Sequence, residues 1–276
     1  MNRHSNIDPL IPCYDAFFID QFGTLHNGLL AYPGAAAALM RIRAAGRKVV
    51  LLSNSGRPLH PNANRLANLG IGPDTYDFLL TSGEVAARMI NSDLVPAVRG
   101  VSRCFLLERP GEGSILDRLN FQSVNPEAAQ LVLIAGSEGD RLGIDWYAEL
   151  LAPLARRGVP ALCLNPDRTM LTAHGPSFGS GQIAETYAAL GGEVIWIGKP
   201  YLEIYRMALD MLGQKSTARV AGVGDSVEHD IAGAKAAGCD AWLVRAGIIA
   251  NWDDSDIQAG FDRWKVVPDG ILDAVQ

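Results

Sequence analysis

The 276-residue sequence has no dense run of basic residues: 24 Lys and Arg stand against 30 Asp and Glu, a formal net charge of −6. Nucleic acids and anionic membranes select clustered Lys and Arg, so neither is an expected partner. Nor is there an apolar run near the ~20 residues that a membrane helix needs. The first dozen residues lack the apolar centre of a secretory signal, and a soluble cytoplasmic protein is the expectation. The four cysteines, Cys13, Cys104, Cys163 and Cys239, are dispersed without a Cys-x-x-Cys pair or a histidine at zinc-ligand spacing. They read as reduced packing residues. Internal repeats and low-complexity tracts are absent as well.

What the chain does have is 48% hydrophobic residues, enough for one large domain or two ordinary ones. Short apolar runs alternate with helical patterns, which is the mark of βαβ units around a parallel sheet. The run before Asp20 is followed by an Ala-rich helix over 35–45 that Gly46 stops. Lys48–Ser53 is too continuously apolar for a half-exposed strand and fits one buried on both faces. From about residue 92, Pro96, Gly100, Pro110, Gly111 and Gly113 punctuate a second series of shorter elements. The expected organisation is a doubly wound, Rossmann-like core from 1–91 and 182–276, interrupted by an inserted α/β domain over 92–181. Residues 165–181 read as one long connection, the kind that is usually functional or mobile.

Asp20, Ser53, Lys199 and Asp225 each fall at or just beyond the end of a separate apolar run. In an open parallel sheet such carboxyl ends form one crevice where ligands bind. Asp20 is followed by Gly23 and Thr24, a glycine turn suited to exposing backbone N–H groups beside a nucleophile. Asp225 and Asp230 add negative charge to the same edge, and gathered carboxylates call for a lysine or a cation; hard oxygen donors suit Mg²⁺. Arg57 and Arg168 are candidates to contact substrate, against the ordinary alternative of solvated or paired arginines. In the 165–181 connection, Asp167, Arg168 and His174 are polar candidates for substrate choice.

Together these positions resemble the haloacid dehalogenase (HAD) superfamily, in its NagD-like branch, subfamily IIA. The matching motifs are Asp20-x-x-Gly23-Thr24, Leu51-Leu-Ser53-Asn54, Gly198-Lys199-Pro200 and Gly224-Asp225-Ser-x-x-x-Asp230. The resemblance implies an α/β cap at the inserted domain and a phosphatase that forms an aspartyl-phosphate on Asp20. It implies that Ser53 and backbone N–H groups at Gly23 and Asn54 bind the phosphoryl oxygens, and that Lys199 neutralises charge and holds Asp20. Mg²⁺ would be held by Asp20, the Phe22 carbonyl and Asp225, with Asp230 around a metal-bound water or Lys199. A small phosphorylated molecule is the implied substrate, and the resemblance allows a homodimer through the cap.

One position departs from the pattern. Family phosphatases carry a second aspartate two residues after the nucleophile, where this chain has Phe22. That aspartate protonates the leaving oxygen, and losing a positioned acid/base forfeits on the order of 10²- to 10⁴-fold in rate. Three readings remain open: substrates with good leaving groups, a substitute proton donor such as His26, Glu84 or a cap residue, or a weakened protein that keeps phosphoryl-ligand binding for a regulatory role.

Overall fold

The computed structural model describes residues 2–111, 113–172, 175–214, 216–217 and 219–276. The chain divides into two compact units. One comprises Met1–Ser53, Ala63–Leu80 and Lys199–Gln276; the other comprises Asn54–Asn62 and Thr81–Gly198. Among the described residues, no helix is long and apolar enough to cross a membrane.

The first unit is built on a seven-stranded sheet in the order Asn2–His4, Gly270–Leu272, Asp240–Val244, Val220–Gly224, Ala16–Asp20, Lys48–Ser53, Phe78–Thr81. Every strand pair with a described register in it is parallel. All five residues of Ala16–Asp20 are buried, as expected of a central strand covered on both faces. The helix Ala35–Ala44 buries Ala35, Ala38, Leu39 and Ile42, an i, i+3, i+4, i+7 stripe. These join Phe17, Ile19, Val49 and Leu51 in one core. Each fully buried side chain of the size of Leu39 contributes roughly 1.5–3 kcal/mol.

Strand order reverses between Ala16–Asp20 and Val220–Gly224. The first strand leads outward through Lys48–Ser53, whereas the second leads the other way through Asp240–Val244. Their register pairs Val223 with Ile19, so Asp20 and Asp225 leave neighbouring strands at the same level. That is the topological switch point at which open α/β sheets bind ligands.

The second unit holds a five-stranded sheet in the order Val194–Trp196, Ala161–Cys163, Leu131–Ile134, Arg103–Leu107, Gln122–Ser123, parallel throughout. Tyr147, Leu151 and Leu154 from the helix Ile144–Arg156, and Ile183, Ala184 and Tyr187 from Ser180–Ala189, fill its core. The fold class is thus the expected one, a doubly wound core with an α/β unit inserted in its chain.

The boundaries differ from those read in the sequence. Val194–Trp196, expected to be a core strand, pairs with Ala161–Cys163 in the second sheet, and the inserted unit runs to Gly198 and not to 181. A short continuous apolar run marks a buried strand without saying which sheet it joins, because parallel partners are chosen by contacts distant in sequence. The 165–181 connection is not a bare loop. It contains an antiparallel pair, Thr169–Thr172 with Gly175–Phe178; His174 lies outside the described residues. The three-residue strands Asn2–His4, at the sheet edge, and Gly270–Leu272, beside it, are too short to show a period; the helix Asp254–Trp264 was not among the elements expected.

Candidate active site

Asp20 closes its strand with a side chain turned into a buried cluster. It is 8% exposed, Lys199 3%, Asp225 1% and Asp230 6%. The turn after Asp20 is fixed by its own backbone. The Gln21 carbonyl accepts the Leu25 N–H at 2.8 Å and the His26 N–H at 3.2 Å, and the Gly23 N–H donates to the His26 carbonyl at 2.8 Å.

Lys199 Nζ donates to Asp20 Oδ1 and, at 2.7 Å, to Asp230 Oδ1. The other oxygen of Asp230 accepts the Ser226 N–H at 3.0 Å, so the carboxylate that meets the lysine is held at both oxygens. Asp230 reaches the site from the wide π-helical turn Val227–Ile231, a distortion common at functional positions. Ligand oxygens of Asp20, Asp225 and Asp230 lie within 4.8 Å of one another.

Burial, then the charges of Asp20 and Asp230, push Asp225 well above the ordinary carboxylate range, with the Ile248 N–H and Lys199 acting against them. Burial alone would lower the lysine, but Asp20 and Asp230 outweigh it and hold Lys199 well above its usual value. Three buried carboxylates face one ammonium. The negative charge left over, on hard oxygen donors, fits a divalent cation such as Mg²⁺.

Glycine is required around Asp225 for a steric reason. Gly23 has φ +88°, and a Cβ there would stand 2.1 Å from Asp225 Oδ2. The Gly23 N–H, expected to serve substrate, donates to the His26 carbonyl here, and the absent Cβ admits the Asp225 carboxylate.

Phe22 is half-buried. Its ring meets the edge of His26 at a centroid distance of 5.5 Å and an interplanar angle of 89°. It also covers Gly28, where a Cβ would lie 2.8 Å from ring carbon Cε2. His26 Nδ1 accepts the Gly28 N–H at 3.0 Å, and burial followed by the charge of Arg65 pushes the imidazole down to about 4. His26 is therefore neutral near pH 7.

Ser53 ends its strand half-buried, one residue beyond Leu52, the register partner of Asp20. The remaining candidates belong to the second unit. Asn54 Nδ2 donates to Asp167 Oδ1 at 2.8 Å, and Arg168 Nε donates to Glu185 Oε1 at 2.6 Å. The Arg57 carbonyl accepts the Thr81 hydroxyl at 3.0 Å. Glu84, weighed as a substitute proton donor, accepts from both Arg88 and Arg118 at 3.1 Å.

Residues that sequence reading missed lie on the turn after Asp240–Val244. The Ile248 N–H donates to Asp225 Oδ2 at 2.6 Å. The strand-end rule that found Asp225 points equally to this neighbouring strand, but glycine and isoleucine carry no chemical flag.

Comparison with known proteins supports the same reading. A profile described as haloacid dehalogenase-like hydrolase matches residues 17–122, and one described as HAD-hydrolase-like matches residues 196–274. The chain is 28% identical to D-glycerol 3-phosphate phosphatase of Mycobacterium tuberculosis over 87% of its own length but only 65% of that protein's. It is 27% identical to ribonucleotide monophosphatase NagD of Escherichia coli K12, over 88% and 91% of the two chains. A haloacid dehalogenase-like hydrolase from Brucella suis 1330 superposes with TM-score 0.85 at 29% identity, over 99% and 100% of the chains. With the acidic cluster, the lysine and the switch-point topology in place, the chain belongs to the haloacid dehalogenase-like hydrolases, in their NagD-like class.

Proposed function

We propose that this protein is a phosphatase that transfers a phosphoryl group from a small phosphorylated metabolite to Asp20 and then to water. The observation that carries the reading is the Lys199 ammonium shared by Asp20 and Asp230. A buried ammonium against one oxygen keeps Asp20 ionised and oriented, which is what a carboxylate nucleophile requires. Relatives named as phosphatases of glycerol phosphate and ribonucleotides support the class of substrate.

In the first step an Asp20 oxygen bonds to phosphorus as the bond to the leaving oxygen breaks, and the leaving group takes that electron pair. Water then adds at phosphorus, frees Asp20 and releases inorganic phosphate. Ser53 would donate its hydroxyl to a phosphoryl oxygen. Asp20, the Phe22 carbonyl and Asp225 would hold Mg²⁺, which when bound neutralises phosphoryl and carboxylate charge. Asp230 keeps Lys199 aimed.

Phe22 cannot protonate the leaving oxygen, and neutral His26 is packed against it. Groups that depart as stable anions are therefore the favoured substrates: acyl phosphates, aryl phosphates and phosphoanhydrides. The same residue favours a second reading, a phosphoryl-ligand binding protein with weak turnover. One experiment separates the two. The pure protein is assayed on p-nitrophenyl phosphate, acetyl phosphate and glycerol 3-phosphate, with and without Mg²⁺, beside Asp20→Asn. The phosphatase reading expects Mg²⁺-dependent, Asp20-dependent release of phosphate, fastest from the acyl and aryl compounds; no such release from any of them sinks it.

A further inference from the structure

We infer that the turn Gly247–Ile249 is a backbone clamp that fixes the Asp225 carboxylate for divalent-cation binding, with the Ile248 N–H as its positioning group. The inference rests on the phosphatase reading above and extends it to residues outside the four motifs.

Three contacts converge on one oxygen. The Ile248 N–H donates to Asp225 Oδ2 at 2.6 Å. A Cβ at Gly247, whose φ is +53°, would stand 1.9 Å from that same oxygen and 2.4 Å from the Gly23 Cα; a Cβ at Gly23 would stand 2.1 Å from it. Asp225 Oδ2 is thus wedged between two glycine backbones and tied to a third residue.

The physical need for the clamp comes from the cluster itself. Asp225 shares a buried space with Asp20 and Asp230, and like charges at that range drive a free side chain apart. A carboxylate held by one oxygen keeps its direction, so its other oxygen is preset for a cation and the cost of ordering it is met on folding. Outer groups that orient metal ligands in this way carry on the order of 10- to 100-fold in metal affinity. The Ile248 side chain is 45% exposed; only its backbone serves Asp225. Proline at this position removes the N–H, whereas alanine keeps it.

Isothermal titration of Mg²⁺ into the substrate-free protein tests this directly. Ile248→Pro is expected to weaken Mg²⁺ binding by about 10- to 100-fold relative to Ile248→Ala, with circular dichroism and the metal-free melting temperature recording any merely structural effect. Gly247→Ala, which drives a methyl into Asp225 Oδ2, is expected to weaken it as well, and decides the matter if Ile248→Pro does not fold. Wild-type binding that is lost in Asp225→Asn but kept in a folded Ile248→Pro, or in Gly247→Ala, overturns the clamp and leaves the phosphatase reading standing. Absence of Mg²⁺ binding by the wild type overturns both.

Discussion

Asp230 holds Lys199 through Oδ1 at 2.7 Å while its Oδ2 accepts the Ser226 N–H at 3.0 Å. The lysine is thereby held by a second carboxylate besides that of Asp20. Breaking a buried ion pair by removing one partner leaves an uncompensated charge and costs about 3–5 kcal/mol. Lys199→Met is expected to lose that much in denaturant unfolding and to lose turnover. Lys199→Arg should not restore activity, because the planar guanidinium does not fit a site built for a compact ammonium. Full activity in the arginine variant would remove Lys199 geometry from the mechanism.

Phe22→Asp should raise activity on alkyl phosphates such as glycerol 3-phosphate, toward the 10²- to 10⁴-fold range that a positioned acid/base supplies. It also gives up the ring's packing on His26 and Gly28, so the melting temperature should fall. The kcat on p-nitrophenyl phosphate should change far less, since that leaving group needs little protonation. Alkyl phosphatase activity that stays flat would show that proton donation is not the limiting step.

Asp225→Asn gives a pH and metal prediction. Its folded-state value is raised well above 3.8 by burial and by Asp20 and Asp230. A raised group contributes stability that is present below its unfolded value and lost as pH rises through the folded one. The Asp225 contribution to the stability of metal-free wild type should therefore be lost as pH climbs from about 3.8 through the folded-state value, and Mg²⁺ should restore it. Asp225→Asn should melt higher than metal-free wild type near pH 7, at roughly 2–4 °C per kcal/mol for a chain of this size, and should no longer respond to Mg²⁺. Calorimetry at several pH values with EDTA or Mg²⁺ checks both signs.

His26 contributes the opposite slope between pH 6.5 and about 4, inside the range over which Asp225 acts. Burial and Arg65 lower its value from 6.5 to about 4, so the unfolded chain binds the proton first. The folded state should lose up to roughly 3 kcal/mol as pH falls from 6.5 to 4. His26→Gln, which cannot titrate, should flatten that part of the stability profile; an unchanged slope would place the titrating group elsewhere.

By itself the sequence determined the class of fold and pointed to the acidic residues and the lysine that gather at the candidate site. Continuous apolar runs ending in Asp20, Ser53 and Asp225 are local signals, because strand burial and strand-end carboxylates are written in consecutive residues. Tertiary structure decided the rest. Val194–Trp196 carries the same local signal yet joins the second sheet, so Lys199 meets Asp20 without following a strand of the core, as the sequence had suggested. The Gly23 N–H turned inward to His26, and Glu84 was taken by two arginines. The hold on Asp225 comes from Gly247 and Ile248, residues with no functional side-chain chemistry. Local burial is legible from a few neighbours in the chain, whereas partner choice between distant segments is settled only when the whole fold competes for each donor and acceptor.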